Sequence, residues 1–176
     1  MEIRLANIKD IGACVALSHA YSTDYVWQMQ ERGTDTETSI SFREVRLPRP
    51  MRADYPHSRD YLLEDWQRNG CFLVAEDQGR VLGYLDLQVQ RWHQVGWILN
   101  LAIDEPYRRN GIGGMLLEQG IAWGKSLGLR ALMTDVQTKN HPAISLGRKY
   151  GFSLCGYNDQ YYLSGDIALF LCLNLT

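Results

Sequence analysis

The sequence predicts an α+β fold in a single domain spanning residues 1–176, a mostly antiparallel sheet with helices packed against it. Three observations carry that class. Two apolar runs, Cys71–Glu76 and Val81–Val89, flank the turn Asp77-Gln78-Gly79-Arg80 and read as an antiparallel hairpin. A third run, Trp97–Ile103, reads as a strand and leads into Arg108-Arg109-Asn110-Gly111-Ile112-Gly113-Gly114, a glycine-rich turn that opens a helix. That turn follows a hairpin and strand in mid-chain. A dinucleotide-binding turn instead follows the first strand of a parallel, doubly wound sheet.

Taken in order, Ile3–Ala6 alternates and reads as a first strand. Asn7 is an N-cap candidate for a helix to about Tyr21, with Ile8, Ile11, Val15 and Leu17 on a rough apolar face that Gly12 weakens. Between Ser22 and Arg59, two strand-like pieces, Tyr25–Gln30 and Ser39–Leu47, flank the turn-rich Glu31–Asp35 and suggest a hairpin. Pro48, Pro50 and Pro56 are then expected to break regular structure. The same region sets Tyr25, Trp27, Phe42 and Tyr55 beside Asp24, Glu44 and Asp54. It reads either as a wall for an amine-bearing acceptor or as a peripheral hairpin whose aromatics cover the core.

Tyr61–Arg68 reads as a short helix ended by Asn69-Gly70. The helix after the glycine turn runs to about Leu127, carrying Met115, Leu116, Leu117, Ile121 and Trp123 at helical spacing, and Gly128 closes it. Ala131–Val136 is a buried strand, and Asn140-His141-Pro142 starts a helix that reaches Lys149. Phe152–Tyr157 and Ile167–Leu173 close the chain as strands, the last a candidate edge for pairing between two subunits of a homodimer.

Composition narrows the class of function. The net charge of -2 gives no global drive toward nucleic acid or anionic lipid, and no apolar run is long enough to span a bilayer. The N-terminus reads as a strand rather than a signal peptide. Cys14, Cys71, Cys155 and Cys172 are widely spaced with no CxxC pair, which argues against a disulfide scaffold or a metal site and fits a reducing cytoplasm.

The glycine turn is the strongest chemical signal. The first N–H groups of a helix have no intrahelical acceptor, and the helix dipole favours negative charge beside them. Gly111 and Gly113 let the backbone approach a phosphate closely, and Arg108 adds a cationic fork.

Arg108-x-x-Gly111-x-Gly113, the apolar strand before it, the strand after it, Asn140-x-Pro142-Ala143 and the Gly151-Phe152 pair resemble the GNAT superfamily of N-acetyltransferases. The features Ser41-x-Arg43-x-Val45, Pro48-x-Pro50, Asp54-Tyr55, Asp135-Val136-Gln137 and Asn140-His141-Pro142-Ala143 look like its streptothricin acetyltransferase branch. The resemblance implies a central mixed, mostly antiparallel twisted sheet of about seven strands, flanked by about four helices and splayed at its middle strands. It implies acetyl-CoA as co-substrate, with the pyrophosphate on backbone N–H groups from Arg109 through Asn110, Gly111, Ile112 and Gly113 to Gly114, beside Arg108. The pantetheine arm would lie along Leu101, Ala102 and Ile103 like an added strand, with Asn140 and Ala143 nearby; the alternative role of Asn140 is helix capping. No metal is implied.

The implied reaction is direct attack of an amine, most simply that of a small molecule, on the thioester carbonyl, with the Leu101 N–H stabilising the oxyanion. A protein N-terminus or lysine is the alternative acceptor, and a non-catalytic acyl-CoA-binding module the alternative class. Many family members carry a tyrosine, the proton donor to the thiolate, where this chain has Gly147. Tyr150 either substitutes for it or packs. For the base, strand alternation puts Tyr84, Asp86 and Gln88 on one face, so Asp86 either lines the acceptor site and relays the proton or faces solvent. Asn100 could order a water, or be satisfied by a backbone partner.

Overall fold

The computed structural model describes residues 1–68 and 70–176. Its elements are β1 (Glu2–Leu5), α1 (Ile8–Ala16), β2 (Tyr21–Thr34), β3 (Glu37–Ala53), α2 (Leu62–Gln67), β4 (Cys71–Asp77), β5 (Arg80–Gln90), β6 (Val95–Ile103), α3 (Ile112–Ser126), β7 (Ala131–Gln137), α4 (His141–Lys149), β8 (Ser153–Asn158) and β9 (Ala168–Asn174). The α+β class, the seven-stranded mixed sheet and the four helices all match expectation. The expected helix stop at Asn69 lies outside the described residues.

The sheet order is β1-β4-β5-β6-β7-β9-β8, and β2 and β3 form a separate two-stranded sheet. All ladders are antiparallel except β6–β7. The β4–β5 hairpin closes through Gln78 and Gly79, both left-handed at φ 50° and 82°, the geometry that matches the twist of paired strands. Alternation along β5 sends Tyr84 to one face and Leu85 to the other. On the Tyr84 side, Ile11, Cys14 and Leu17 of the α1 region and Leu62 of α2 cover Phe72, Val74 and Ala102. On the Leu85 side, Leu116 and Leu117 of α3 and Ile144 of α4 cover Leu87, Ile98 and Leu132.

Three expectations change. The first helix stops at Ala16, not near Tyr21: Leu17 is extended, and the Ser18 N–H is taken by Asp104 Oδ1 at 3.1 Å. Asn7 does cap it, accepting from the Lys9 N–H at 2.9 Å while the Asp10 carboxylate accepts from the Asn7 N–H at 2.8 Å. Next, the β2–β3 hairpin is longer than its prolines suggested. Its tip is Asp35-Thr36, and β3 continues to Ala53 because Pro48 and Pro50 fall in a bulge opposite Asp24, where no ladder N–H is required. Finally, β9 is no edge: it inserts between β7 and β8, which leaves β1 and β8 outermost. A subunit contact through β9 is thereby removed, since both of its edges are already paired.

The middle of the sheet is split. β6 pairs with β7 only from Val95↔Ala131 to Ile98↔Thr134. Just there the register of β6 against β5 shifts, so that Leu99 is an extra residue between Ile98↔Leu87 and Asn100↔Asp86. The bulge turns the rest of β6 away from β7 and opens a wedge between two parallel strands.

Candidate active site

The glycine turn sits at the mouth of this wedge. Arg109 and Gly111 are left-handed at φ 67° and 82°, and α3 begins at Ile112, with Met115 N–H to Gly111 O as its first intrahelical bond at 3.1 Å. The N–H groups of Ile112, Gly113 and Gly114 therefore have no acceptor in the helix. A Cβ on Gly111 would meet nothing within 4 Å, so that glycine serves backbone geometry and an open approach rather than packing. Gly114 differs: a Cβ there would collide with the Tyr150 hydroxyl.

One cavity of about 700 Å³ runs from this turn through the wedge to His19, Tyr21 and Tyr55. Leu101, Ala102, Ile103, Arg108, Arg109, Gly111, Ile112, Gly113, Gly114, Asn140 and Ala143 all line it; Asn110 is exposed and lies off the wall. The fit to a thioester cofactor rests on the open cradle together with the unpaired wedge. Asn140 Oδ1 accepts the Ala143 N–H at 3.2 Å, so its side chain caps α4.

Three residues stand differently from expectation. The Arg108 guanidinium is turned inward: Nε donates to Ile103 O at 2.7 Å, one terminal nitrogen to Ala20 O at 2.6 Å and the other to Ser18 O. It fastens the chain before β2 to the end of β6 instead of offering its fork to an anion. Tyr150 donates to Glu118 Oε1 at 3.1 Å and packs against Gly114 of α3, and it is not among the residues lining the cavity. Gly147 does line it, on a floor made by Phe152 and Leu171.

Asp86 neither faces solvent nor lines the cavity. It is fully buried, accepting from Gln88 Nε2 at 3.0 Å and Asn100 Nδ2 at 3.3 Å. Burial pushes its pKa up to about 6, Asp65 repels the charge further, and the two amides offset part of the rise. Asn100 Oδ1 accepts the Tyr55 hydroxyl at 2.9 Å, so Asn100 bridges buried carboxylate and cavity wall instead of facing a backbone partner. Burial, then the nearby Asp135 charge, raise the Tyr55 phenol, which keeps it protonated; the Leu101 N–H facing it acts in the opposite sense.

A second polar group on this side centres on Asp135, which the sequence marked only as part of the Asp135-Val136-Gln137 resemblance, with no role. Asp135, with a side chain 1% exposed, takes Trp97 Nε1 on Oδ1 at 3.1 Å, and Tyr162 Oη and His57 Nε2 on Oδ2 at 2.8 and 3.1 Å. Burial would raise its pKa, but His57, Tyr162 and Trp97 outweigh it and hold the carboxyl below its ordinary value. Asp135 was legible as a carboxylate in an apolar strand, the same signal that singled out Asp86. His57, on an irregular segment, carried no periodic signal. His19 is also buried, its ring nitrogens on Leu17 O at 2.7 Å and Tyr84 Oη at 2.9 Å, and burial lowers its pKa so that it stays neutral near pH 7.

The ends of the β2–β3 hairpin carry the far wall. Tyr21 pairs with Ala53 across the ladder, and its hydroxyl donates to Gln137 Oε1 at 2.7 Å. Further out, the Trp27 N–H donates to Thr138 O at 2.8 Å and His141 Nε2 lies 3.1 Å from Glu44 Oε2, which clasps the hairpin to the start of α4. Among the described residues there is no group of three metal-ligating side chains, and no helix is long and apolar enough to cross a membrane.

Comparison with known proteins gives three findings. The family model described as the acetyltransferase (GNAT) family matches residues 40–152. A streptothricin acetyltransferase of Streptomyces lavendulae is 24% identical, over 98% of this chain and 94% of that one, and an N-alpha-acetyltransferase of Sulfurisphaera tokodaii is 28% identical, over 82% and 90%. Among solved structures, that of a putative streptothricin acetyltransferase from Bacillus anthracis str. Ames in complex with acetyl coenzyme A superposes with a TM-score of 0.77 at 19% identity, over 98% of both chains.

Proposed function

The chain belongs to the acetyltransferase (GNAT) family and is an acetyl-CoA-dependent N-acetyltransferase; we propose that its acceptor is a primary amine on a small molecule, attacking directly in a ternary complex. The observation that carries this reading is the single cavity joining the glycine turn to the aromatic end made by His19, Tyr21 and Tyr55. A cavity continuous from the glycine turn to an aromatic end suits direct transfer, since both reactants can be held together and no covalent enzyme intermediate is needed. The hairpin clasp on α4 favours a compact acceptor over a peptide that must lie across the surface. The streptothricin acetyltransferase relative also matches over nearly the full chain, hairpin included. The N-alpha-acetyltransferase relative keeps a protein N-terminus as the second reading.

Within this reading, backbone N–H groups of the turn through Gly114 hold the pyrophosphate, and the unpaired edge of β6 from Leu101 to Ile103 takes the pantetheine arm as a strand takes a neighbour. The Leu101 N–H stabilises the oxygen of the tetrahedral intermediate. Asp86 acts through Asn100: by accepting the amide N–H it fixes the amide oxygen toward Tyr55, which holds the phenol in place on the cavity wall. Tyr150 packs on α3, so the departing thiolate is protonated by solvent.

A thiol-release screen with acetyl-CoA tests the reading. Polyamines and streptothricin-like or aminoglycoside-like amines are expected to release thiol, and peptides are not. Turnover confined to peptides would reverse the acceptor assignment.

A further inference from the structure

The sheet places a histidine–carboxylate pair on the acceptor side of the wedge. Asp135 directly follows Thr134, the last β7 residue paired with β6, and its Oδ1 is tied to Trp97 of β6. It therefore spans the two strands where they part. Its Oδ2 takes the His57 Nε2–H at 3.1 Å and the Tyr162 hydroxyl at 2.8 Å. Because Nε2 is the nitrogen committed to the carboxylate, Nδ1 is the one left with a lone pair. The His57 side chain is 26% exposed against 1% for Asp135. His57 stands one ring behind the cavity wall: its ring centroid is 5.6 Å from that of Tyr55, which lines the cavity, and 5.8 Å from that of Tyr162.

We infer that His57, oriented by Asp135, takes the proton from the attacking amine through one intervening water. The assignment rests on the amine-acetylation reading above and names its base. An alkylamine is protonated near neutral pH, so a proton must leave before or as its lone pair forms the C–N bond. In that step the lone pair attacks the thioester carbonyl carbon, the C–S bond breaks, and the sulfur leaves with its electron pair. One proton of the ammonium passes to His57 Nδ1 to free that lone pair, and the imidazolium is stabilised by Asp135 until solvent removes the proton; the second N–H proton, made acidic by C–N bond formation, leaves to solvent, and the thiolate takes one proton from solvent. Asp135 is a positioning residue here: it selects the tautomer and stabilises the cation, as a buried carboxylate does for the histidine of a hydrolase triad. The other ionisable groups facing His57 are Asp65 of α2, Tyr162 of the segment after β8, and Tyr55. Asp65 adds a second negative charge, and the two phenols are held protonated, chiefly by burial. Asp86 cannot serve directly, because an amide stands between it and the cavity.

The test is His57→Gln and His57→Ala, assayed with the best amine from the screen. Turnover is expected to fall about 100-fold in both, the range of a lost general base, with acetyl-CoA affinity by calorimetry unchanged. Added imidazoles should restore the alanine variant, faster as their basicity rises; a purely structural histidine would give no such dependence. Undiminished turnover in both variants, or rescue indifferent to imidazole basicity, overturns the assignment. Nitrogen NMR of the wild-type imidazole supplies a readout independent of any acceptor: Nε2–H is expected, and an Nδ1–H tautomer overturns the proposal. If no amine releases thiol from the wild type, it is the acceptor reading that fails, while the tautomer still decides the pair.

Discussion

Tyr55 donates its hydroxyl to Asn100 Oδ1 across 2.9 Å, which ties the segment after the β2–β3 hairpin to the strand that leads into the glycine turn. The contact makes Tyr55→Phe informative. Deleting the hydroxyl strands a nearly buried amide oxygen, a loss of about 1–3 kcal/mol in urea unfolding. The KM for the amine is expected to rise by roughly tenfold, equivalent to ~1.4 kcal/mol, while acetyl-CoA affinity holds. An unchanged KM would remove Tyr55 from the acceptor site.

Arg108 bonds three backbone carbonyls from two distant segments, Ser18 and Ala20 on one side and Ile103 on the other. Arg108→Ala is therefore expected to act on stability first, lowering it by on the order of 3–5 kcal/mol for several charge-assisted bonds that do not add fully. Acetyl-CoA affinity of the folded protein should change by no more than about threefold, under 1 kcal/mol. A variant of native stability with lost cofactor affinity would return the guanidinium to the anion.

At Gly111 the backbone is left-handed at φ 82° with open space around the missing side chain. Gly111→Ala isolates the conformational cost, about 1–2 kcal/mol. Gly111→Glu adds a charge against the pyrophosphate and should weaken acetyl-CoA binding by roughly 100-fold, or ~2.7 kcal/mol, beyond the alanine variant. Equal affinities for the two variants by calorimetry would place the phosphates elsewhere.

Asp86 gives the protein a defined pH response. Its pKa rises from 3.8 to about 6 on folding, chiefly through burial. The folded state thus holds the proton more tightly than the unfolded chain. The associated stability is fully present below pH 3.8 and is lost as pH rises through about 6. Against Asp86→Asn, which does not titrate, the wild type should lose about 3 kcal/mol of relative stability between acid and neutral pH. A difference that stays constant across urea titrations at several pH values would contradict this.

The glycine turn proposed to hold the cofactor was readable as a local motif. The glycine turn, the strand before it and the helix after it are contiguous, and their order alone fixes the cradle. The acceptor half joins distant pieces of chain. Tyr55 and His57 meet Asn100 and Asp135 only because the hairpin ends land beside the wedge, and no periodicity marks residues 54–61. Asp86 showed in the sequence as a carboxylate among apolar neighbours, but alternation could not reveal that Asn100 stands over it. Nor could the sequence give the insertion of β9 between β7 and β8, since adjacency along the chain favours β8 beside β7.

The β2–β3 ladder closes on itself, and most of its length is exposed to water. Its ties to the rest of the molecule are local contacts, among them a backbone bond at Trp27, the His141–Glu44 and Arg52–Glu105 pairs, Arg148 4.1 Å above the Trp27 ring, Phe42 against Tyr157, and the buried ends at Tyr21 and Ala53. Such a unit detaches by sub-global opening at lower free energy than the seven-stranded sheet unfolds. Amides of Gln28–Glu44 should then exchange with solvent deuterium well before those of β5 and β6. Opening of the hairpin would thus leave the seven-stranded frame and its glycine turn intact, so that two parts of one fold carry separate stabilities.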